Sequence, residues 1–226
     1  VNSDNNIKNI GQTMNTNVFP KCFKFLHSPL LQGSALSSLI TLFASFQRIT
    51  GEKIIKFNAF KKELIKCAIP KLSRQSYSAI SRCLSILILQ LKNNEQYNAT
   101  NELIKLIDDN NDNYSQLSLL CIGEIGKQID LSKHGNIENK IYKAFNRDSE
   151  SVKWAASYAL GSISCGNMDK YIVILLKMVK EHKNRQYLLL NSLKEIIIFH
   201  YNNENLIKKL KPYSKQIVTL LFEYSE

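Results

Sequence analysis

A chain of 226 residues is long enough for one large domain or a short array of repeats. Hydrophobic residues make up 44%, enough for a sizeable core, whereas 8 Gly and 4 Pro are too few for an all-β chain that must turn every ~10 residues. Thirty Lys and Arg against nineteen Asp and Glu give a net charge of +11, which can draw acidic proteins, nucleic acid or anionic lipid. Lys, Asn and Ile are over-used throughout, so the excess scatters over polar faces, as compositional bias would place it.

Residues 1–16 are Asn-rich, polar and without period, and are expected to be a disordered or linker-like end. From Val18 onward apolar residues recur at helical spacing: Leu36, Leu39, Ile40, Phe43 and Phe46, then Ile137, Ile141 and Phe145, then Leu189, Leu193, Ile196 and Ile197. Polar breaks separate helix-length segments at Ser28-Pro29, Thr50-Gly51, Pro70, Lys92 to Asn94, Asp108 to Asn113, Ser132 to Gly135, Arg147 to Ser149, Gly166-Asn167, Lys183-Asn184 and Lys211-Pro212. Asp148 or Ser149 is placed to cap the next helix, and Pro212 suits a first helical turn.

Internal repetition decides the class. Ile122-Gly123-Glu124-Ile125 aligns with Leu160-Gly161-Ser162-Ile163, 38 residues later, and Leu84 to Leu87 lies 38 residues before. A period in the high thirties fits a two-helix repeat. The expected fold is all-α, an α-α superhelix of HEAT or armadillo type with about five helix pairs. Residues 17–226 form the array, in approximate repeats 29–70, 73–110, 113–147, 149–182 and 185–225.

Chemistry is absent from the pattern. His27, His134, His182 and His200 stand apart from one another and from Cys, and no C-x-x-C occurs, which argues against a metal. Phosphate-cradling glycine motifs are missing; Gly123 to Gly126 lies in a helical pattern and reads as close helix packing. Asp108 to Asp112 suggests a calcium loop, but Asn113 holds the position that needs Gly and Leu119 the one that needs Glu. No residue is nominated as catalytic or cofactor-binding, so a binding protein is expected and not an enzyme.

The five cysteines, Cys22, Cys67, Cys83, Cys121 and Cys165, mostly sit in apolar helix, which fits reduced thiols and a cytoplasmic or nuclear setting. No apolar run approaches the ~18 residues of a membrane span. Val1 to Asp4 have neither a basic nor an apolar leader region, and the missing initiator Met reads as a piece of something longer. Lys61, Lys62, Lys66, Lys71 and Arg74 form the best nucleic-acid candidate, yet no aromatic residues interleave with them to stack bases. Trp154 and Tyr158, four apart on one helix, are either packing at a stripe edge or a partly exposed anchor for a partner.

Several runs are more specific than a generic helical repeat. Ser28 to Leu36, Gly123 to Gly126 with Ile129 to Ser132, Ala155 to Ser164 followed by Gly166-Asn167, and Arg185 to Leu190 with Ser192 to Ile197 resemble stretches of the cullin-associated, neddylation-dissociated proteins. These are HEAT-repeat proteins, also described as TATA-binding-protein-interacting. The resemblance runs from about Pro29 to Tyr213 and implies a piece past the middle of a long solenoid. It further implies a scaffold that binds cullin with its RING-box subunit when neddylation is absent, and that regulates ligase assembly and substrate-receptor exchange. HEAT partners usually meet the second helix of each pair, which nominates Lys56, Lys62, Lys140, Lys143, Lys177 and Lys180 as contacts, with Trp154 as the aromatic anchor. Two alternatives stand beside this: a transcription-linked scaffold for TATA-binding protein, and a basic nucleic-acid-binding solenoid.

Overall fold

The computed structural model describes residues 2–28, 30–70, 72–201 and 204–224, with side chains throughout except at 2–4, 47 and 204–206. Val1, Pro29, Lys71 and the end of the last expected repeat lie outside them. Every regular element among the described residues is helical. The chain divides into two compact units, with the boundary between Glu102 and Leu103.

The first unit holds α1 (Asn2–Thr13), a π-helical stretch (Met14–Val18), α2 (Phe19–Phe25), α3 (Gln32–Thr50), α4 (Phe57–Lys66), α5 (Arg74–Leu89) and most of α6 (Asn93–Leu106). Its α3 packs on α5, with α2 against α3 and α4 against α5. Phe19 and Phe23 of α2 enter an aromatic cluster with Phe43, Phe46 and Phe60; Phe23 and Phe60 stack at 4.1 Å, and Phe19 meets Phe43 at 5.0 Å. Rings of this size bury large apolar areas and gain further from their tilted geometry.

The start of the chain departs from the sequence-based expectation of a disordered end: residues 2–18 are helical. The stretch is tied to the rest of its unit by Asn15, which is only 3% exposed. Its Nδ2 donates to the Gly11 and Lys53 carbonyl oxygens at 3.2 and 3.3 Å, and its Oδ1 accepts from the Ile55 N–H at 3.0 Å. The loop after α3 thus finds its backbone partners in a helix that carries almost no apolar stripe.

The second unit holds α7 (Asp112–Gly126), α8 (Ile137–Ala144), α9 (Glu150–Gly166), α10 (Met168–Glu181), α11 (Gln186–Tyr201), α12 (Glu204–Leu210) and α13 (Ser214–Glu223). First helices stack directly, α7 on α9 and α9 on α11; α8 and α10 fold back against α9, and α13 packs on α10. This is neighbour-on-neighbour stacking of helix pairs. Ser149 starts α9 by accepting the Val152 N–H at 3.4 Å, and Val152, Ala155, Ala156, Ala159, Leu160 and Ile163 are at most 1% exposed. Asn167 ends α9 and caps α10 through an Oδ1 bond from the Lys170 N–H at 3.1 Å.

Glycines, Gly161 and Gly126 among them, set the spacing of that stack. A Cβ on Gly161 would collide with the Ser192 carbonyl oxygen of α11, and one on Gly126 would fall 3.0 Å from the Ile163 Cα of α9. Both neighbours are backbone and cannot turn aside.

Gly161→Ala should therefore destabilise the protein by about 1 to 3 kcal/mol through overpacking, read as a lowered urea midpoint at unchanged slope. Asn15→Ala leaves the Lys53–Ile55 backbone unpaired and should cost about 1 to 3 kcal/mol, with the Ile55 amide losing hydrogen-exchange protection.

Candidate protein-binding surfaces

Where acidic loops meet the next helix pair, the second unit uses its cations internally. Lys140 of α8 pairs with Asp108, and Arg147 donates to the Asp109 carbonyl oxygen at 2.9 Å and to the Asp112 carboxylate. The aspartates that suggested a calcium loop are thus receptors for the following hairpin. Asp130 has the same role in the next helix pair, accepting from Ser132 N–H, Ser132 Oγ and Asn167 Nδ2 at 2.8, 2.9 and 3.0 Å. Burial raises its pKa, but these bonds together with Lys170 prevail and hold it below the ordinary aspartate value.

A second polar group lies on the first-helix stack. Tyr158 Oη donates to the Glu124 carboxylate and accepts from Lys127 Nζ at 2.5 Å, while that ammonium also sits 4.4 Å above the Tyr158 ring. Burial, then the Glu124 carboxylate, push the Tyr158 phenol far above its usual range, so it remains a donor. Trp154 stacks on Tyr158 with centroids 6.1 Å apart and is half-buried. It lies on α9, a first helix, whereas the nominated lysines of this unit lie on second helices.

Lys143, Lys177 and Lys180 are exposed. Lys177 and Lys180 come together on one wall of a groove of about 290 Å³ between α10 and α13, with Val173, Leu176, Gln216 and Leu220. The four uncharged lining residues were missed from sequence. The available signal was Val173, an apolar residue one turn before Lys177 and outside the buried stripe of α10.

In the first unit, Lys56 precedes α4 and Lys62 lies on it, both exposed. A groove of about 270 Å³ there is lined by Ile54, Phe57, Leu87 and Ala99 and by the pairs Lys53–Glu95 and Lys61–Glu102. Within the basic segment, Lys61 is thus bound to Glu102 and only 15% exposed, whereas Lys66 pairs with Glu63 at 2.8 Å on the open surface.

Burial pushes the Cys67 and Cys165 thiols up to about 11 and about 12 and Cys83 higher still, so none is a thiolate near neutral pH. Among the described residues no group of three or more His, Cys, Asp and Glu side chains could hold a metal, and no helix is long and apolar enough to cross a membrane.

Stacked helix pairs with outward lysines on the second helices define the class: an all-α helical-repeat chain of HEAT or armadillo type. The sequence is related to a stretch of cullin-associated NEDD8-dissociated protein 1. It is 31% identical to that of Dictyostelium discoideum over 93% of this chain and 17% of the relative, and 32% identical to that of Arabidopsis thaliana over 84% and 16%. Cullin-associated NEDD8-dissociated protein 2 of Rattus norvegicus is 26% identical over 92% of this chain and 17% of its own length. No family model matches the chain. Among solved structures, a designed armadillo repeat protein in complex with a (KR)4 peptide aligns with a TM-score of 0.44 at 20% identity, covering 92% of this chain and 93% of that one. An engineered protein aligns at 0.46 and 16% identity, over 92% and 98%.

Removing the Arg147 bonds to Asp109 and Asp112 with Arg147→Ala should cost about 1 to 2 kcal/mol, since they are charge-assisted but partly exposed; urea titration of the chain measures it. A folded-state pKa below the unfolded one means that Asp130 stabilises above the ordinary aspartate value, about 3.9, and loses that contribution as pH falls through its own lower value. The stability difference between wild type and Asp130→Asn should be constant from about pH 5 to 7 and shrink below about pH 4.

Proposed function

We propose that this chain belongs to a helical-repeat scaffold that binds cullin with its RING-box subunit in the un-neddylated state and so regulates which substrate receptor the ligase carries. The observation that carries this reading is identity of 31 to 32%, over most of the chain, to proteins named for cullin association and NEDD8 dissociation. Because the chain spans 17% of such a relative, it supplies one stretch of a longer contact surface. Distributed contacts of this kind suit a partner that must be both held and released, since each contributes little alone.

The candidate contacts are Lys56 and Lys62 in the first unit and Lys143, Lys177 and Lys180 in the second. Lys140 contributes less because Asp108 holds it, and Trp154 offers its remaining ring surface as the aromatic anchor. The proposed setting is the cytoplasm and nucleus. A nucleic-acid role is disfavoured by the pairing of Lys61 with Glu102, and would reveal itself by affinity falling steeply with salt.

Biolayer interferometry of the purified chain against cullin–RING-box complex tests the proposal. Un-neddylated complex should bind, and Lys143→Glu, Lys177→Glu and Lys180→Glu together should weaken it roughly tenfold, about 1.4 kcal/mol. Equal binding of the neddylated complex, or a triple variant with wild-type affinity, would overturn it.

A further inference from the structure

We propose that the groove between α10 and α13 is the docking site for an acidic amphipathic helix of a partner protein. This rests on the reading of the second-helix surface as protein-binding and names the chemistry of what it holds.

Three observations select that occupant. The groove has a closed apolar floor in Leu176 and Leu220, 5% and 1% exposed, and an open aliphatic rim in Val173, 55% exposed, on a helix whose other large apolar residues turn inward. Its charge is one-sided. Lys177 and Lys180 are the charged lining residues, both on α10, and α13 adds only the neutral Gln216 to the polar lining. Glu181, at 3.8 Å, is the nearest counter-charge to Lys177, but both side chains are more than half exposed, so water weakens that pair.

Spacing then favours a helix. Lys177 and Lys180 are separated by a rise of roughly 4.5 Å along α10, which matches carboxylates three or four residues apart on a helix lying alongside. The apolar stripe of that helix would lie on Val173, above the buried floor of Leu176 and Leu220. A neutral apolar peptide would leave two ammonium groups unused, and a nucleic acid would find no aromatic lining to stack on.

The test uses the whole chain and a fluorescein-labelled synthetic helix with Leu at i, i+4 and i+7 and Glu on its flanks. Anisotropy should show saturable binding, and methyl NMR shifts should be largest at Val173 and fall off through Leu176 and Leu220 beneath it. Lys177→Glu with Lys180→Glu, and separately Val173→Asp, should each weaken binding about tenfold while the circular dichroism melt stays in place; these side chains are exposed, so folding is preserved. Absence of methyl shifts, or equal affinity for oligoglutamate or single-stranded DNA with Val173→Asp silent, would overturn the proposal and leave only a positive patch. The two readings separate cleanly. A helix bound as expected with no cullin captured removes the cullin assignment alone, and cullin captured equally by Val173→Asp removes the groove.

Discussion

The described first helices bury their apolar stripes on the first helix about one period further along the sequence, α3 on α5, α7 on α9 and α9 on α11. The polar contacts record this dependence. Side chains that bridge successive pairs join residues far apart in sequence, from 31 positions for Lys127 and Tyr158 to 47 for Gln90 and the Phe43 carbonyl. Arg147 and Arg185, 38 positions apart, make equivalent reaches, to Asp109 and to Asn146 respectively. Stability in such a stack is close to a sum over neighbours, so damage at one junction is felt mainly at that junction.

The junction of α9 with α11 shows what close approach requires. Gly161 removes the side chain that would strike the Ser192 carbonyl, and small hydroxyls fill the remaining polar needs. Ser157 Oγ donates to the Leu188 carbonyl at 2.8 Å, Ser192 Oγ donates to the Ser157 carbonyl at 2.8 Å, and Asn191 Nδ2 donates to Ser157 Oγ at 2.7 Å. Larger apolar residues would hold the helices further apart and leave these carbonyls without a second partner. Buried, satisfied hydroxyls therefore fix the register of two helices that uniform aliphatic packing would leave free to slide.

What the sequence discloses follows from which interactions are local. The stripes of α3, α9 and α11, the Ser149 cap and the glycines of α7 are all readable, because period, capping and size are properties of short stretches. Asn15 is not readable: a lone Asn in a polar segment gives no sign that a loop 38 residues away will bury it. The same distance conceals the pairing of Lys61 with Glu102, 41 residues on. Of the groove beside Lys177, the lysines are legible as polar-face residues of one helix, whereas Leu220 reaches it only through the packing of α13 on α10.

Folding also changes the meaning of the net charge. Lys61, Lys140, Arg147 and Lys170 each pair with a carboxylate on another helix or turn, and their side chains are only 15 to 40% exposed. Such bridges draw Glu102, Asp108, Asp112 and Glu138 into the junctions between helices. Lys177, at 71% exposed, pairs with the exposed Glu181 of its own helix. Each such bridge withdraws one cation together with one acid, so the net excess of +11 is carried by the residues outside these junctions. A lysine excess that began as compositional bias is thereby sorted by folding: some cations become fasteners between neighbours, and the rest form the field that an approaching partner meets first.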